Sequence, residues 1–154
     1  MSEKQVITNE IYRQLAKELF NQTWALLNNT DRSENEDDLM IHTSHASRYH
    51  WGQIGTPLEF ERGEWQISRV YAVLERSEPA QYHARRCLEI CKANTIGDFD
   101  LAFAYEAMAR AYSLAKNVPE CERYLKLAVA ACDQIEDKGN REYVLSELDT
   151  INRR

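Results

Sequence analysis

Two segments of the chain repeat one another at an offset of 41 residues, and this repeat restricts the fold more than any other feature of the sequence. The segment RVYAVLERSEPAQYHARRCLEIC, which begins at Arg69, aligns with RAYSLAKNVPECERYLKLAVAAC, which begins at Arg110. Tyrosine and cysteine recur at equivalent places, and a helix break falls at the same position in both segments. A period of this length, with two helices in each copy, is typical of arrays in which helical hairpins stack on one another.

The composition also favours an all-helical chain. Only five glycines and three prolines interrupt the 154 residues, and no segment alternates β-branched residues as a strand does. TPLE at 56–59 and SENE at 33–36 are typical helix-start boxes, NVPE at 117–120 is similar to them, and Ser77 and Asp98 are candidate caps. These signals predict seven helices, at about 6–28, 35–54, 58–75, 79–95, 99–116, 119–137 and 140–152.

The second copy resembles the tetratricopeptide repeat. In that motif the first helix carries an aromatic, a large apolar residue, a small residue and a tyrosine, and the second carries small, large and small residues. The matching residues here are Tyr105, Met108, Ala109 and Tyr112, then Cys121, Leu125 and Ala128. The first copy is degenerate, with Glu64, Ile67, Ser68 and Tyr71, then Ala80, Ala84 and Cys87, and its aromatic residue is displaced to Trp65. Because the period is longer than the family's usual 34 residues, the likeness is to the subgroup with long helices, and it covers residues 58–137.

The resemblance implies an all-α fold in which antiparallel helical hairpins stack as a short right-handed superhelix. We expect one domain, 1–154, made of an atypical N-terminal hairpin (1–55), a degenerate repeat (58–97), a tetratricopeptide-like repeat (98–138) and a capping helix (139–154). The inner stripe of the capping helix is predicted to be Tyr143, Leu145, Leu148 and Ile151. The repeat also predicts that the cysteines are core residues: Cys87, Cys91, Cys121 and Cys132.

Charge and hydropathy exclude several classes of function. A formal net charge of −6 argues against nucleic-acid binding, which needs a basic surface. No apolar run approaches the length of a membrane span, and the N-terminus MSEKQVITNE lacks the order of a signal peptide. The cysteines show no paired C-x-x-C spacing, which disfavours a zinc ribbon or redox motif. We therefore expect a cytoplasmic protein that binds neither membranes nor nucleic acid.

The family resemblance implies a concave groove lined by the first helix of each hairpin, where peptides or partner segments bind. The residues expected there are Arg62, Trp65, Gln66 and Arg69 from helix three and Glu106 and Arg110 from helix five. Arg62, Trp65 and Arg69 are spaced to share one helix face. Since arginine binds carboxylates and tryptophan offers stacking area, an acidic partner is expected. The alternative is that Trp65 is a core residue and the arginines form ordinary ion pairs with Glu61 or Glu106.

The stretch IHTSHASRYHW at 41–51 concentrates three of the four histidines on helix two. This helix has few aliphatic residues, so its inner surface is predicted to contain polar rings and hydroxyls that bond to helices one and three. His45 and Tyr49 are candidates for the binding groove, and a purely structural polar layer is the alternative. His42 and His45, with Asp38 one turn earlier, could also coordinate a divalent metal, although no metal-binding motif is present.

These patterns together predict a non-catalytic module that binds a protein or peptide segment, with no cofactor, no metal and no catalytic residue. Self-association as a homodimer is an open expectation. Replacing Arg69 or Arg110 by alanine is expected to weaken partner binding and to leave thermal unfolding nearly unchanged. Two alternatives stay open: a small metal-dependent or hydrolytic enzyme that uses the histidines of helix two, and a peptide-responsive regulatory sensor that acts in trans.

Overall fold

The computed structural model describes residues 5–151, in which all regular structure is α-helical and no strand occurs. The helices are α1 (Asn9–Asn28), α2 (Glu34–Ile54), α3 (Pro57–Val73), α4 (Ser77–Ala93), α5 (Asp98–Leu114), α6 (Val118–Cys132) and α7 (Lys138–Leu148). The prediction of a seven-helix, all-α chain is therefore confirmed. None of the helices in the described part of the chain is long and apolar enough to span a membrane.

Consecutive helices form antiparallel hairpins. In the first hairpin the hydroxyl of Thr23 on α1 meets that of Thr43 on α2 at 2.8 Å, and Ser47 of α2 donates to the carbonyl of Ala16. In the second, Ser68 of α3 donates to the carbonyl of Ala80 on α4 at 2.8 Å. Such small hydroxyl groups allow two helices to approach closely, and each of these hydroxyls keeps a hydrogen-bond partner.

The odd-numbered helices line one side of the stack. The backbones of α1 and α3, of α3 and α5 and of α5 and α7 approach closely, whereas among the described residues no two of the even-numbered helices α2, α4 and α6 bring Cα atoms within 8 Å of each other. A row of hairpins that touch through their first helices and separate at their second helices must curve toward the first. The odd-numbered helices therefore form the inner side of the curve.

The 41-residue repeat is present in the structure. Helices α3 and α5 begin at residues 57 and 98 and end at 73 and 114, and α4 and α6 begin at 77 and 118. Even the turns match, because Glu75 and Lys116, which are 41 residues apart, both adopt a left-handed backbone conformation with φ of 59° and 57°. The two segments share their backbone conformation up to the start of the second helix, and the second helix then ends at 93 in the first copy and at 132, two residues earlier in register, in the second.

Local capping explains where most helices start. Ser33 accepts from the backbone N–H of Glu36, whose carboxylate accepts from the N–H of Ser33, and Glu59 likewise accepts from the N–H of Thr56. These two boxes were predicted, and the cap at Asn117 is also present, since its side chain accepts from the N–H of Glu120. Each such cap satisfies donors that a helix start otherwise leaves free.

The caps predicted at Ser77 and Asp98 are wrong by one residue, because each is the first helical residue and the caps are Arg76 and Gly97. The sixth helix ends at Cys132, five residues before its predicted end at 137. The chain leaves the helix there because a turn carries the side chain of Ile135 into the core, where it is 1% exposed.

The inner stripe of α7 differs from the prediction. Leu148 and the following Ile151 are buried as expected, but Tyr143 and Leu145 are exposed and Val144 takes the core position instead. The buried stripe therefore passes through Val144 rather than Tyr143 in the second turn of the helix. The prediction that the cysteines are core residues is confirmed, because all four side chains are buried.

Candidate functional site

A pocket lined mainly by aromatic side chains lies on the inner side of the helical stack. It has a volume of about 220 Å³. Every lining residue belongs to an odd-numbered helix: Phe20 and Trp24 of α1, Glu61, Arg62 and Trp65 of α3, Phe99, Asp100 and Phe103 of α5, and Tyr143 of α7. The pocket is thus built from the first helices of successive hairpins.

The aromatic rings of the pocket contact each other in an unbroken series across four helices. The ring centroids of Trp24 and Trp65 are 5.6 Å apart, and those of Trp65 and Phe103 are 5.4 Å apart. Phe103 in turn contacts Phe99 at 4.7 Å and Tyr143 at 5.7 Å. Such edge and tilted contacts fix ring orientations, so the pocket walls are ordered before any ligand arrives.

Arg62 and Asp100 form the polar part of the pocket wall. The guanidinium of Arg62 donates two bonds to the carboxylate of Asp100, from Nε at 2.9 Å and from Nη2 at 3.1 Å. Burial raises the pKa of Asp100, but the hydrogen bond and charge of Arg62 outweigh that effect and hold it below its usual value. Half of the Arg62 side chain is exposed, so this ion pair faces solvent at the pocket.

Glu61 lies deeper in the same wall, with a carboxyl group that is only 1% exposed. Its Oε2 accepts from the thiols of Cys87 and Cys91, each at 3.4 Å, whereas no donor forms a hydrogen bond to its Oε1. Arg62 stays 3.8 Å from Oε1 and is committed to Asp100. The pKa of Glu61 is raised to about 11, chiefly because the group is buried and secondly because it is hydrogen bonded to Asp100. The carboxyl group is therefore neutral at physiological pH.

The two thiols beside Glu61 are paired with each other. Their shared hydrogen bond is the main cause that raises the pKa of Cys87 and lowers the pKa of Cys91. They lie one helical turn apart on α4 and point at the same carboxyl oxygen of α3. Among the described residues, Glu61, Cys87 and Cys91 are the group whose potential metal-ligand atoms converge, all within 4.8 Å of one another.

A second buried carboxylate, Glu106 of α5, forms the centre of an ionic network beside the pocket. Its Oε1 accepts from Arg69 at 2.9 Å and from Arg110 at 2.7 Å, and its Oε2 accepts from the indole of Trp65 at 3.2 Å. Burial acts to raise the pKa of Glu106, but the two arginines lower it below its usual value. Arg69 also bonds to Glu147 of α7 at 2.9 Å.

Of the histidines of α2, His45 belongs to a polar layer between hairpins. His45 is hydrogen bonded to the hydroxyl of Tyr71 at 2.9 Å, and its ring contacts His83, which bonds to Glu64 at 2.6 Å. Burial, with help from the charge of His83, lowers the pKa of His45. Tyr49, by contrast, is 63% exposed. The expected bonds from α2 to helices one and three are present, through Thr43 and His45.

The residues predicted for the groove fall into three environments. Arg62 and Trp65 line the pocket, and Trp65 also joins the ionic network with Arg69, Glu106 and Arg110. Gln66 is 1% exposed and donates to the carbonyl of Phe20, while His45 and Tyr49 lie elsewhere on α2. His42, His45 and Asp38 do not converge as a ligand group within the described residues.

Several residues of the pocket were not foreseen from the sequence, namely Phe20, Trp24, Glu61, Phe99, Asp100, Phe103 and Tyr143. A signal for four of them exists, because the pairs Phe20/Trp24 and Phe99/Phe103 are each spaced by four residues. This spacing puts both rings of each pair on one helix face. No family model, no curated protein and no solved structure matches this chain.

Proposed function

We propose that the protein is a non-catalytic module that binds a segment of a partner protein, and that the aromatic pocket holds one large apolar side chain of that segment. The observation that carries the proposal is that the pocket is lined only by odd-numbered helices, on the inner side of the stack. Helical arrays use such concave surfaces for binding. Aromatic residues are also enriched where binding energy is concentrated.

The size of the pocket favours a side chain over a free small molecule. Pockets for drug-sized ligands and substrates commonly have volumes of about 300–1,000 Å³, and this one has about 220 Å³. An apolar cavity of about 150 Å³ is large enough for benzene. The pocket therefore suits a phenylalanine, leucine or methionine side chain presented by an extended or helical segment.

Arg62 is the cationic residue best placed to contact the bound segment. It is half exposed at the pocket, whereas Arg69 and Arg110 already share a fully buried glutamate. A carboxylate of the partner segment would compete with Asp100 for the guanidinium of Arg62. An acidic residue in the partner is therefore a secondary part of the proposal. The main anchor in this proposal is apolar.

The finer family assignment is also a proposal. A tetratricopeptide-like array is supported by the matched positions of α3 with α5 and α4 with α6, and by small buried residues where the motif requires them, at Ala80, Ala84, Cys121 and Ala128. A cytoplasmic location and self-association stay predictions. The four cysteines are buried and none of them is joined in a disulfide, which is in keeping with a reducing compartment.

The test is selection of peptides from a random display library on the wild-type protein, followed by affinity measurements. We expect the selected peptides to share one large apolar residue, whose replacement by alanine abolishes binding. Replacing Tyr143, which is 49% exposed at the pocket, by alanine should weaken binding about tenfold, as loss of an interface aromatic commonly does.

A matched control is available on the other side of the stack. Tyr82 of α4 is 50% exposed and does not line the pocket, so Tyr82→Ala should bind the same peptides as wild type. If both tyrosine variants lose affinity equally, or if selected peptides share no apolar residue, the pocket is not the anchor and the proposal fails.

A further inference from the structure

Three potential ligand atoms for a metal ion meet between α3 and α4. Cys87 and Cys91 project from successive turns of α4, and both sulfur atoms lie 3.4 Å from Oε2 of Glu61 on α3. All three residues are at most 1% exposed. The two thiols and the carboxylate therefore converge from two different helices in a place that water does not reach freely.

The spacing of these atoms matches what a tetrahedral zinc ion requires. With Zn–S bonds of about 2.3 Å and Zn–O bonds of about 2.0–2.2 Å, tetrahedral angles put sulfur and oxygen ligands about 3.5 Å apart. The observed sulfur–oxygen distances are 3.4 Å. Two of the three distances between the ligand atoms therefore already have the value that a bound zinc ion requires, and the two sulfur atoms lie within 4.8 Å of each other.

A second observation points to a missing ligand at the same place. No donor forms a hydrogen bond to Oε1 of Glu61, although this oxygen is buried. In the ionised form of Glu61 this buried oxygen has no donor and faces the carboxyl group of Asp100, so either a proton or a cation at this place satisfies it. The carboxyl group of Asp100 is a hydrogen-bonding neighbour of Glu61 and offers further oxygen atoms.

We propose that Glu61, Cys87 and Cys91 form a binding site for one thiophilic divalent cation, Zn²⁺, with Asp100 or a water molecule as the fourth ligand. Two thiolates select zinc over magnesium or calcium, which prefer oxygen-only sites. Glu61 and Asp100 also line the aromatic pocket, which gives the ion a route from solvent. The site does not depend on the proposed peptide binding, and it assigns two of the four buried cysteines a role beyond packing.

The experiment uses the full chain, reduced and treated with a chelator that is then removed. Titration with Co²⁺ should produce one equivalent of bound ion per chain with sulfur-to-cobalt charge-transfer absorption, and Zn²⁺ should displace it and raise the unfolding temperature. Cys91→Ala should abolish the absorption, and Glu61→Gln should weaken binding of both ions while the thiolate bands persist at higher cobalt concentration.

Cys132→Ala is the matched control, because Cys132 is an equally buried thiol on another helix. It should bind Co²⁺ as wild type does. Cys87→Ser, which preserves size, is a second variant in case Cys91→Ala fails to fold, as judged by circular dichroism. The proposal is overturned if wild type shows no charge-transfer band at a small excess of Co²⁺, or if Cys132→Ala loses the band and the folded Cys87 or Cys91 variant keeps it.

Discussion

Two glutamates, Glu61 of α3 and Glu106 of α5, are both buried on neighbouring helices, yet their electrostatic states are opposite. Glu106 accepts hydrogen bonds from Arg69, Arg110 and Trp65. Glu61 accepts only from two thiols, and one of its oxygens has no donor. Burial raises the pKa of both carboxyl groups, but only at Glu106 do cations reverse the shift.

The comparison shows that burial alone does not decide whether a carboxyl group is charged. At Glu106 the ionised form is the stable one, so this region is a locked ionic contact between helices. At Glu61 the neutral form is favoured, and the group keeps unused capacity to accept a proton or a cation. The first arrangement suits a structural joint and the second suits a binding site.

The largest effect is expected from Glu106→Gln, which removes the charge from the locked contact. It leaves Arg69 and Arg110 without their shared carboxylate, and breaking a buried pair in this way costs about 3–5 kcal/mol. Urea unfolding at neutral pH measures the loss. Glu89→Gln is the control, because Glu89 is half exposed and pairs with Arg86 at the surface; it should change stability by less than about 0.5 kcal/mol. Equal effects of the two variants would show that the buried network contributes no special stability.

The pH dependence of this contact has a definite sign. Because the pKa of Glu106 is lowered in the folded protein, its stabilising effect is complete above the pKa of the unfolded chain, about 4.3. The effect is lost as pH falls through the lowered folded value. The acid limb of the wild-type stability curve should therefore flatten in Glu106→Gln.

A smaller effect of opposite sign is expected from Glu61→Gln in chelator-treated protein. With its pKa raised to about 11, Glu61 keeps a proton that the unfolded chain releases above its own pKa, so wild-type stability falls as pH rises between the two values. The amide stays neutral and can donate to Asp100. We expect a gain of about 1 kcal/mol or more at about pH 8, seen as a higher denaturant midpoint and a flatter pH profile. A loss of stability at that pH would mean that Glu61 is ionised in the fold.

The smallest effect extends the comparison to a basic group. The pKa of His45 is lowered chiefly by burial and then by His83, with His42 acting the same way and Glu64 opposing. Wild-type stability should thus decline as pH falls below the unfolded-chain pKa of about 6.5. His45→Gln, which can still bond to Tyr71, should flatten that decline. His50→Gln, which removes the one histidine of α2 that does not act on the pKa of His45, is the control, and identical profiles for all three proteins would exclude His45 as the source.

The helices and their pairing were predictable from the sequence because their determinants are local or periodic. The boxes at Ser33 and Thr56 act over three residues, and the 41-residue repeat places α3 over α5 and α4 over α6 in register. Asp98 is a position at which the local sequence pattern predicts the wrong cap. It resembles a cap, but its backbone is left-handed with φ of 53°, and Gly97 takes the cap position.

The pocket was only partly predictable, since Arg62 and Trp65 were identified but the residues that α1, α5 and α7 contribute were not. Those contributions depend on how far the stack curves, and curvature arises from packing between hairpins rather than from any single helix. The arginines illustrate the same limit. The sequence left open whether Arg69 binds a ligand or pairs with Glu106, and the structure shows the pair. Removal of Arg69 or Arg110 is therefore now expected to destabilise the fold, contrary to the expectation from sequence.

The contact between Arg69 and Glu147 has a consequence for how the protein unfolds. Arrays of helical repeats are held by nearest-neighbour interfaces and tend to lose their ends independently of their middle. Here a side chain of α3 reaches over α5 to α7, joining residues 78 positions apart. Detachment of α7 removes a partner from the central ionic network, so fraying at this end should be coupled to the middle of the stack, and the described helices should unfold with more cooperativity than their number of repeats suggests.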